Sequence, residues 1–124
     1  MEKQLLLKKL EGKEAAVFFE KMYGKEGAKA NKERYLHVME GLEKAFGHKE
    51  MSLFSSAGRT EISGNHTDHN HGKVLAGSIN LDCVAAAAAN GTDEIHIISE
   101  TYNQKFTIQL SDLKPSERMA GTID

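Results

Sequence analysis

Leu81-Asp82-Cys83-Val84-Ala85-Ala86-Ala87-Ala88-Ala89, followed at once by Asn90-Gly91, is the stretch whose reading decides the fold. Alanine has the best helix propensity of any residue, and five stand here in a row. The segment is short, however, carries the β-branched Val84 in front, and stops at Asn-Gly, the strongest short-range hairpin signal. Beyond the turn, Ile95 and Ile97 alternate with His96 and Ile98. After a polar turn at Tyr102-Asn103-Gln104, Phe106, Ile108 and Leu110 fall on one face of a second alternating run. Two marked strands after a hairpin turn need a partner before it. Residues 81–89 therefore read as a strand, with small side chains that let a helix approach closely.

Working back from there, residues 74–79 are apolar and broken by Gly77. Residues 51–57 (MSLFSSA) form a short, uncharged, loosely alternating run read as a strand, and Thr60 to Ser63 as a second short one. The first part of the chain has helical period instead. Leu6, Leu7 and Leu10 share a face that stops at Gly12. Ala15, Phe18, Phe19 and Met22 recur at helical spacing and close at Gly24. Residues 24–30 read as a loop, Asn31 as the cap of a third helix, and Tyr35, Val38, Met39, Leu42 and Phe46 as its apolar face up to Gly47. The sum is an α+β chain: N-terminal helices followed by a mainly antiparallel sheet, here a meander. Residues 1–48 are the helical lead packing on the sheet, 49–124 the strand-rich part, and the whole is expected to be one incomplete domain.

Composition limits the function. Hydrophobic residues make up 40% and charged ones 27% of 124 residues, as in a globular chain. Sixteen basic residues against eighteen acidic ones leave a net charge of −2, which argues against nucleic acid as the partner. No apolar stretch approaches the roughly 20 residues of a membrane span. A single cysteine, Cys83, excludes an intrachain disulfide and is expected to be a small buried hydrophobe in a cytoplasmic protein.

The chemistry is concentrated in Gly58-Arg59-Thr60-Glu61-Ile62-Ser63-Gly64-Asn65-His66-Thr67-Asp68-His69-Asn70-His71-Gly72. Three readings of it stand open. His66, Asp68, His69 and His71 are all potential metal ligands, although no remote cluster supplies a further one. Asn, Asp and His beside glycines also make turns, since their side chains bond nearby backbone and tolerate left-handed angles, which suits Asn70 and His71. Third, Arg, Asn, His and Asp on a strand end and its loop supply the donors and acceptors a sugar needs, because each desolvated hydroxyl must be satisfied.

Residues 57–70, AGRTEISGNHTDHN, resemble the galactokinase signature P-G-R-V-N-L-I-G-E-H-T-D-Y-N of the GHMP kinase family, in a variant of the type found in Gram-positive bacteria. The likeness continues through Gly72-Lys73-Val74-Leu75 and Ser78-Ile79-Asn80-Leu81-Asp82 and covers most of residues 50–113. The resemblance implies the first part of a GHMP-kinase N-terminal domain (ribosomal protein S5 domain 2-like). It also implies phosphorylation of the anomeric hydroxyl of galactose by ATP and Mg²⁺ in a cytoplasmic enzyme. Carried over by position, Arg59 is the catalytic arginine beside the reacting hydroxyl, and Asn65, His66 and Asp68 bind the sugar. The family pattern has Glu where Asn65 stands, Asn at Glu61 and Tyr at His69, which bears on which sugar is bound.

The G-L-S-S-S-A-type loop that holds the ATP phosphates in the family is absent, and Phe54-Ser55-Ser56-Ala57 lacks its glycines. The resemblance therefore implies the N-terminal portion of a sugar kinase, inactive alone and holding neither ATP nor Mg²⁺. The alternatives are a non-catalytic sugar-binding or sensor protein on the same fold, and a His/Asp metal-binding module. An open sheet edge with uncovered apolar faces also predicts a dimer or swapped assembly.

Overall fold

The computed structural model describes residues 1–47, 50–64 and 71–111. The chain divides into two compact units, Met1–Ala89 and Asn90–Asp124. Helices come first and antiparallel strands follow, so the α+β class holds.

In the first unit, α1 (Lys3–Glu11) ends at Gly12, whose N–H bonds the Lys9 carbonyl. α2 (Lys13–Phe46) continues to Gly47, which takes a left-handed φ of 70° and caps the Glu43 carbonyl at 2.8 Å. Within α2, Gly24 alone leaves helical geometry, at φ 73° and ψ 165°. The stop at Gly24 is thus real, but the loop expected over 24–30 is not: the chain is helical again from Lys25. Asn31 is accordingly no N-cap. It lies inside α2, where its amide donates to the Gly27 carbonyl at 3.0 Å and its oxygen accepts from Arg34 at 2.7 Å. The reason is local propensity. Lys25, Glu26, Ala28, Lys29 and Ala30 favour helix, while a glycine can take the positive φ that turns the chain in one step.

That one residue folds the helix back on itself. Sixteen residues of straight helix would separate Phe19 from Tyr35 by about 24 Å. Their rings instead meet edge-on with centroids 5.1 Å apart, and Phe19 also stacks on Tyr23 at 6.0 Å. Phe19, Tyr35, Met39 and Met51 are the buried apolar residues of this core. The N-terminus is tied in beside them: Met51 N–H donates to the Met1 carbonyl at 2.9 Å, and the Met1 ammonium to the Met51 carbonyl at 3.1 Å. Lys3 pairs with Glu43, fastening α1 to the last turns of α2.

β1 (Ser52–Ser63) and β2 (Leu75–Ala87) form one long antiparallel hairpin. The two short strands expected at 51–57 and 60–63 are one strand, and so are 74–79 and the alanine run. The alanine run is strand through Ala87, as expected, but its partner is β1. Leu53, Ser55 and Ala57 pair with Ala86, Val84 and Asp82, and this face of the hairpin lies under α2. The opposite face carries Phe54, Leu81 and Cys83. Cys83 is exposed, which corrects the expectation of a buried thiol: strand alternation puts it on the side away from α2.

The second unit is a smaller hairpin of β3 (Glu94–Ser99) and β4 (Gln104–Gln109). Asn90 shapes the turn before it. Its side chain accepts from Thr92 N–H at 3.1 Å and donates to the Glu94 carbonyl at 2.9 Å. The expected meander is therefore corrected to two hairpins, with β1 as the ladder partner of β2 and β4 that of β3.

Candidate functional site

The β1–β2 hairpin positions the polar stretch by carrying it across its closed end, between Ser63 and Leu75. Two glycines shape that end. Between the pairs Ala57–Asp82 and Arg59–Ser78, β1 has the single residue Gly58 and β2 has three, residues 79–81. β2 thus bulges over Gly58 so closely that a Cβ there would sit 3.1 Å from the Leu81 carbonyl oxygen and 3.2 Å from the Ile79 side chain. Bulges of this kind re-aim the residues beside them. Gly64, at the other end, has φ 103°, and a Cβ on it would lie 2.4 Å from the Lys73 carbonyl oxygen and 2.8 Å from Val74 Cα. Here the two ends of the loop touch through backbone, a contact only glycine permits.

Arg59 follows the bulge directly. Its side chain is 64% exposed, and Nη2 donates to Glu61 Oε1 at 3.4 Å. Its guanidinium is thus largely exposed and, among the described residues, meets the Glu61 carboxylate. His71 begins the return of the loop at φ 60°, the left-handed angle its turn reading predicts. Asn65, His66 and Asp68, the expected sugar-binding residues, lie outside the described residues, as do His69 and Asn70. Of the four candidate metal ligands only His71 is described. Among the described residues no group of three or more His, Cys, Asp or Glu could hold a metal ion.

The best-built polar cluster lies farther along the same hairpin and was not singled out from the sequence. The Asp82 side chain is only 5% exposed. Its Oδ1 accepts from Arg34 Nη1 at 2.6 Å, and its Oδ2 from Tyr23 at 2.6 Å and Ser55 at 2.5 Å. Arg34 Nη2 also donates to the Asp82 backbone carbonyl at 2.8 Å. Tyr23 gives its single proton to Asp82, so the 3.1 Å contact between the tyrosine hydroxyls has Tyr35 as donor.

Burial works against the charged carboxylate, but the hydrogen bonds from Ser55, Tyr23 and Arg34 outweigh it and hold the Asp82 pKa below the ordinary aspartate value. Burial and then the bond to that anion push the Tyr23 phenol upward. The bond to Asp82 raises Arg34. The sequence does contain a signal for this cluster: Asp82 is the one charged residue of β2, and a buried carboxylate must find partners or protonate.

No glycine-rich turn among the described residues leads into either helix, whose starts at Glu2 and Gly12 carry no side-chain cap. No described helix is long and apolar enough to cross a membrane.

A family model described as the galactokinase galactose-binding signature matches residues 40–89. The chain is 33% identical over 87 residues to a galactokinase of Candida parapsilosis, covering 67% of this chain and 17% of that protein. It is 32% identical over 88 residues to a galactokinase of Candida maltosa, covering 70% and 41% respectively. The match thus spans well under half the length of either relative. No solved structure matches the chain.

Proposed function

Because this chain is related to the galactokinases over its N-terminal part and carries their galactose-binding signature, we propose that it supplies the sugar-facing wall of a galactose kinase. The observation that carries this is the coincidence of the matched signature with the closed end of the β1–β2 hairpin, where Gly58 and Gly64 shape the presentation of Arg59 and the loop. In this proposal Arg59 faces the anomeric hydroxyl. A guanidinium there stays charged and favours developing negative charge on that oxygen. His66 and Asp68 bond other hydroxyls of the sugar, with the carboxylate as acceptor. Asn65 adds donors where the family pattern has a carboxylate, so it is the position at which this chain discriminates among galactose and related sugars.

The fold proposed for the longer protein is the GHMP-kinase N-terminal domain. In the same proposal ATP and Mg²⁺ are held elsewhere in the longer protein, and phosphoryl transfer rests on residues there. Cytoplasmic location follows from the same reading.

Two measurements test the proposal. Calorimetric titration of galactose into the chain should give saturable heat that Asp68→Ala removes; no heat with either protein, or equal heat with both, refutes it. A coupled assay with ATP and galactose should detect no sugar phosphate from these 124 residues alone. Turnover there would overturn the division of labour between sugar wall and nucleotide site. A second reading is a non-catalytic sugar-binding protein of the same fold. Galactose binding without turnover in the longer protein would establish it.

A further inference from the structure

We infer that Asp82 is a positioning residue for Arg59, clamping the hairpin at the bulge from which that arginine departs. Three separated pieces of chain meet on its carboxylate. Tyr23 lies on α2 just before the Gly24 bend, Arg34 lies on α2 after it, and Ser55 lies on β1. Both arms of the helical hairpin and the neighbouring strand are therefore fixed to one residue of β2. The grip extends to the main chain, because the second Arg34 nitrogen holds the Asp82 carbonyl.

What that grip fixes is local. Asp82 pairs with Ala57, the last regular pair before the bulge, and the next residue, Leu81, places its carbonyl against Gly58. Arg59 follows and pairs with Ser78, on the same face of the hairpin as Ala57 and Asp82. Strand register is weakly specified where side chains are small, and β1 runs Ser55-Ser56-Ala57-Gly58 at this point. The close fit of Gly58 under the bulge favours the observed register on one side. The three hydrogen bonds to a single buried carboxylate fix it on the other, since a slip of one residue would turn Asp82 to the other face. The part of the inference that concerns sugar recognition rests on the reading of Arg59 given above; the clamp itself does not.

The test compares Asp82→Asn and Arg34→Lys with the unaltered chain, isotope-labelled for NMR. Arg34→Lys keeps the charge and removes the fork onto the Asp82 carbonyl. Amide exchange at Gly58, Arg59 and Ser78 should accelerate about tenfold more than at Leu53 and Ala86 in the same hairpin, with the Arg59 side-chain Nε–H resonance displaced. Uniform acceleration along the hairpin, as from a merely stabilising ion pair, overturns the inference, and so does unchanged exchange at Gly58 and Arg59. Should Asp82→Asn fail to fold, Arg34→Lys and Ser55→Ala decide by the same comparison. Galactose titrated into each variant gives the second arm: weakened binding alongside the local change supports the positioning role, whereas a local change with undiminished binding refutes it. If the unaltered chain binds no galactose, the sugar-wall reading fails and the exchange data alone decide on the clamp.

Discussion

Gly64→Ala should open the signature-bearing end of the β1–β2 hairpin while Gly77→Ala, on the same hairpin, should not. Gly64 has φ 103°, and a methyl group there would meet the Lys73 carbonyl oxygen at 2.4 Å and Val74 Cα at 2.8 Å, inside the 3.0 Å that real Cβ atoms keep. Both obstacles are backbone, so no side chain can swing away. Positive φ on a residue with a Cβ costs about 1–3 kcal/mol. Forcing an extra carbon into a filled space costs about 1–3 kcal/mol more. The total, about 2–6 kcal/mol, is comparable with the whole stability of a small domain, about 5–15 kcal/mol.

The chain can evade part of that by peeling the hairpin end, where the register already shifts between Glu61 and Ser63. The global loss is then capped by the free energy of local opening. Gly77 pairs with Thr60 and has nothing within 4 Å of an added Cβ, so alanine there should be neutral or stabilise by up to about 1 kcal/mol. Amide exchange reads the difference directly. In Gly64→Ala, Glu61 and Ala76 should lose protection while Leu53 and Ala86 keep theirs, and galactose binding should vanish. Full protection at Glu61 in Gly64→Ala, or equal damage from Gly77→Ala, would refute the steric argument.

The remaining predictions concern the buried cluster, the loop and the surface. Asp82→Ala strands the Tyr23 and Ser55 hydroxyls and half of the Arg34 fork, and should cost about 2–3 kcal/mol in urea denaturation; a loss below about 0.5 kcal/mol contradicts the cluster's role. Since the Asp82 pKa is lowered in the folded chain, its stabilisation is complete above the unfolded aspartate value of about 4 and disappears as pH falls through the lower folded value. Asp82→Asn should flatten that acid limb, and an unchanged limb would show that other carboxylates carry it. Tyr23 has the opposite sign. Its raised pKa stabilises the fold below the unfolded tyrosine value of about 10 and loses that contribution as pH rises beyond it, so Tyr23→Phe should remove the alkaline slope of stability. Asn65→Glu should change the preference among galactose and its C2-amino derivatives in competition binding, and an unchanged order would remove Asn65 from the sugar site. The hairpin face carrying Phe54, 56% exposed, and Leu81, 70% exposed, should make the chain self-associate. A monomer at all concentrations in light scattering would contradict this.

Local pattern determined a good deal of this protein. Helical spacing placed α1 and both arms of α2, and glycines marked their ends at Gly12, Gly24 and Gly47, because glycine takes the capping and positive-φ geometries most readily. Alternation placed β3 and β4, and the alanine run is strand as read, although its ladder partner is β1 and not the strand beyond Asn90-Gly91 that the turn signal suggested. The glycine-framed signature resembles that of the galactokinases without any coordinates, and a family model of the galactokinase galactose-binding signature matches it. Tertiary structure alone decided the rest, and the reason is distance along the chain. The helix formers after Gly24 let the helix restart at once, but the direction of that restart is not written locally; contact between Phe19 and Tyr35 rewards the sharp reversal. Nothing near Ala89 says that β2 pairs backward with β1, because that partner lies more than twenty residues upstream. Asp82, read in place, is only a charge in an apolar strand. Its role as the knot between two helix arms and the strand that carries Arg59 exists only once residues 23, 34, 55 and 82 are brought together.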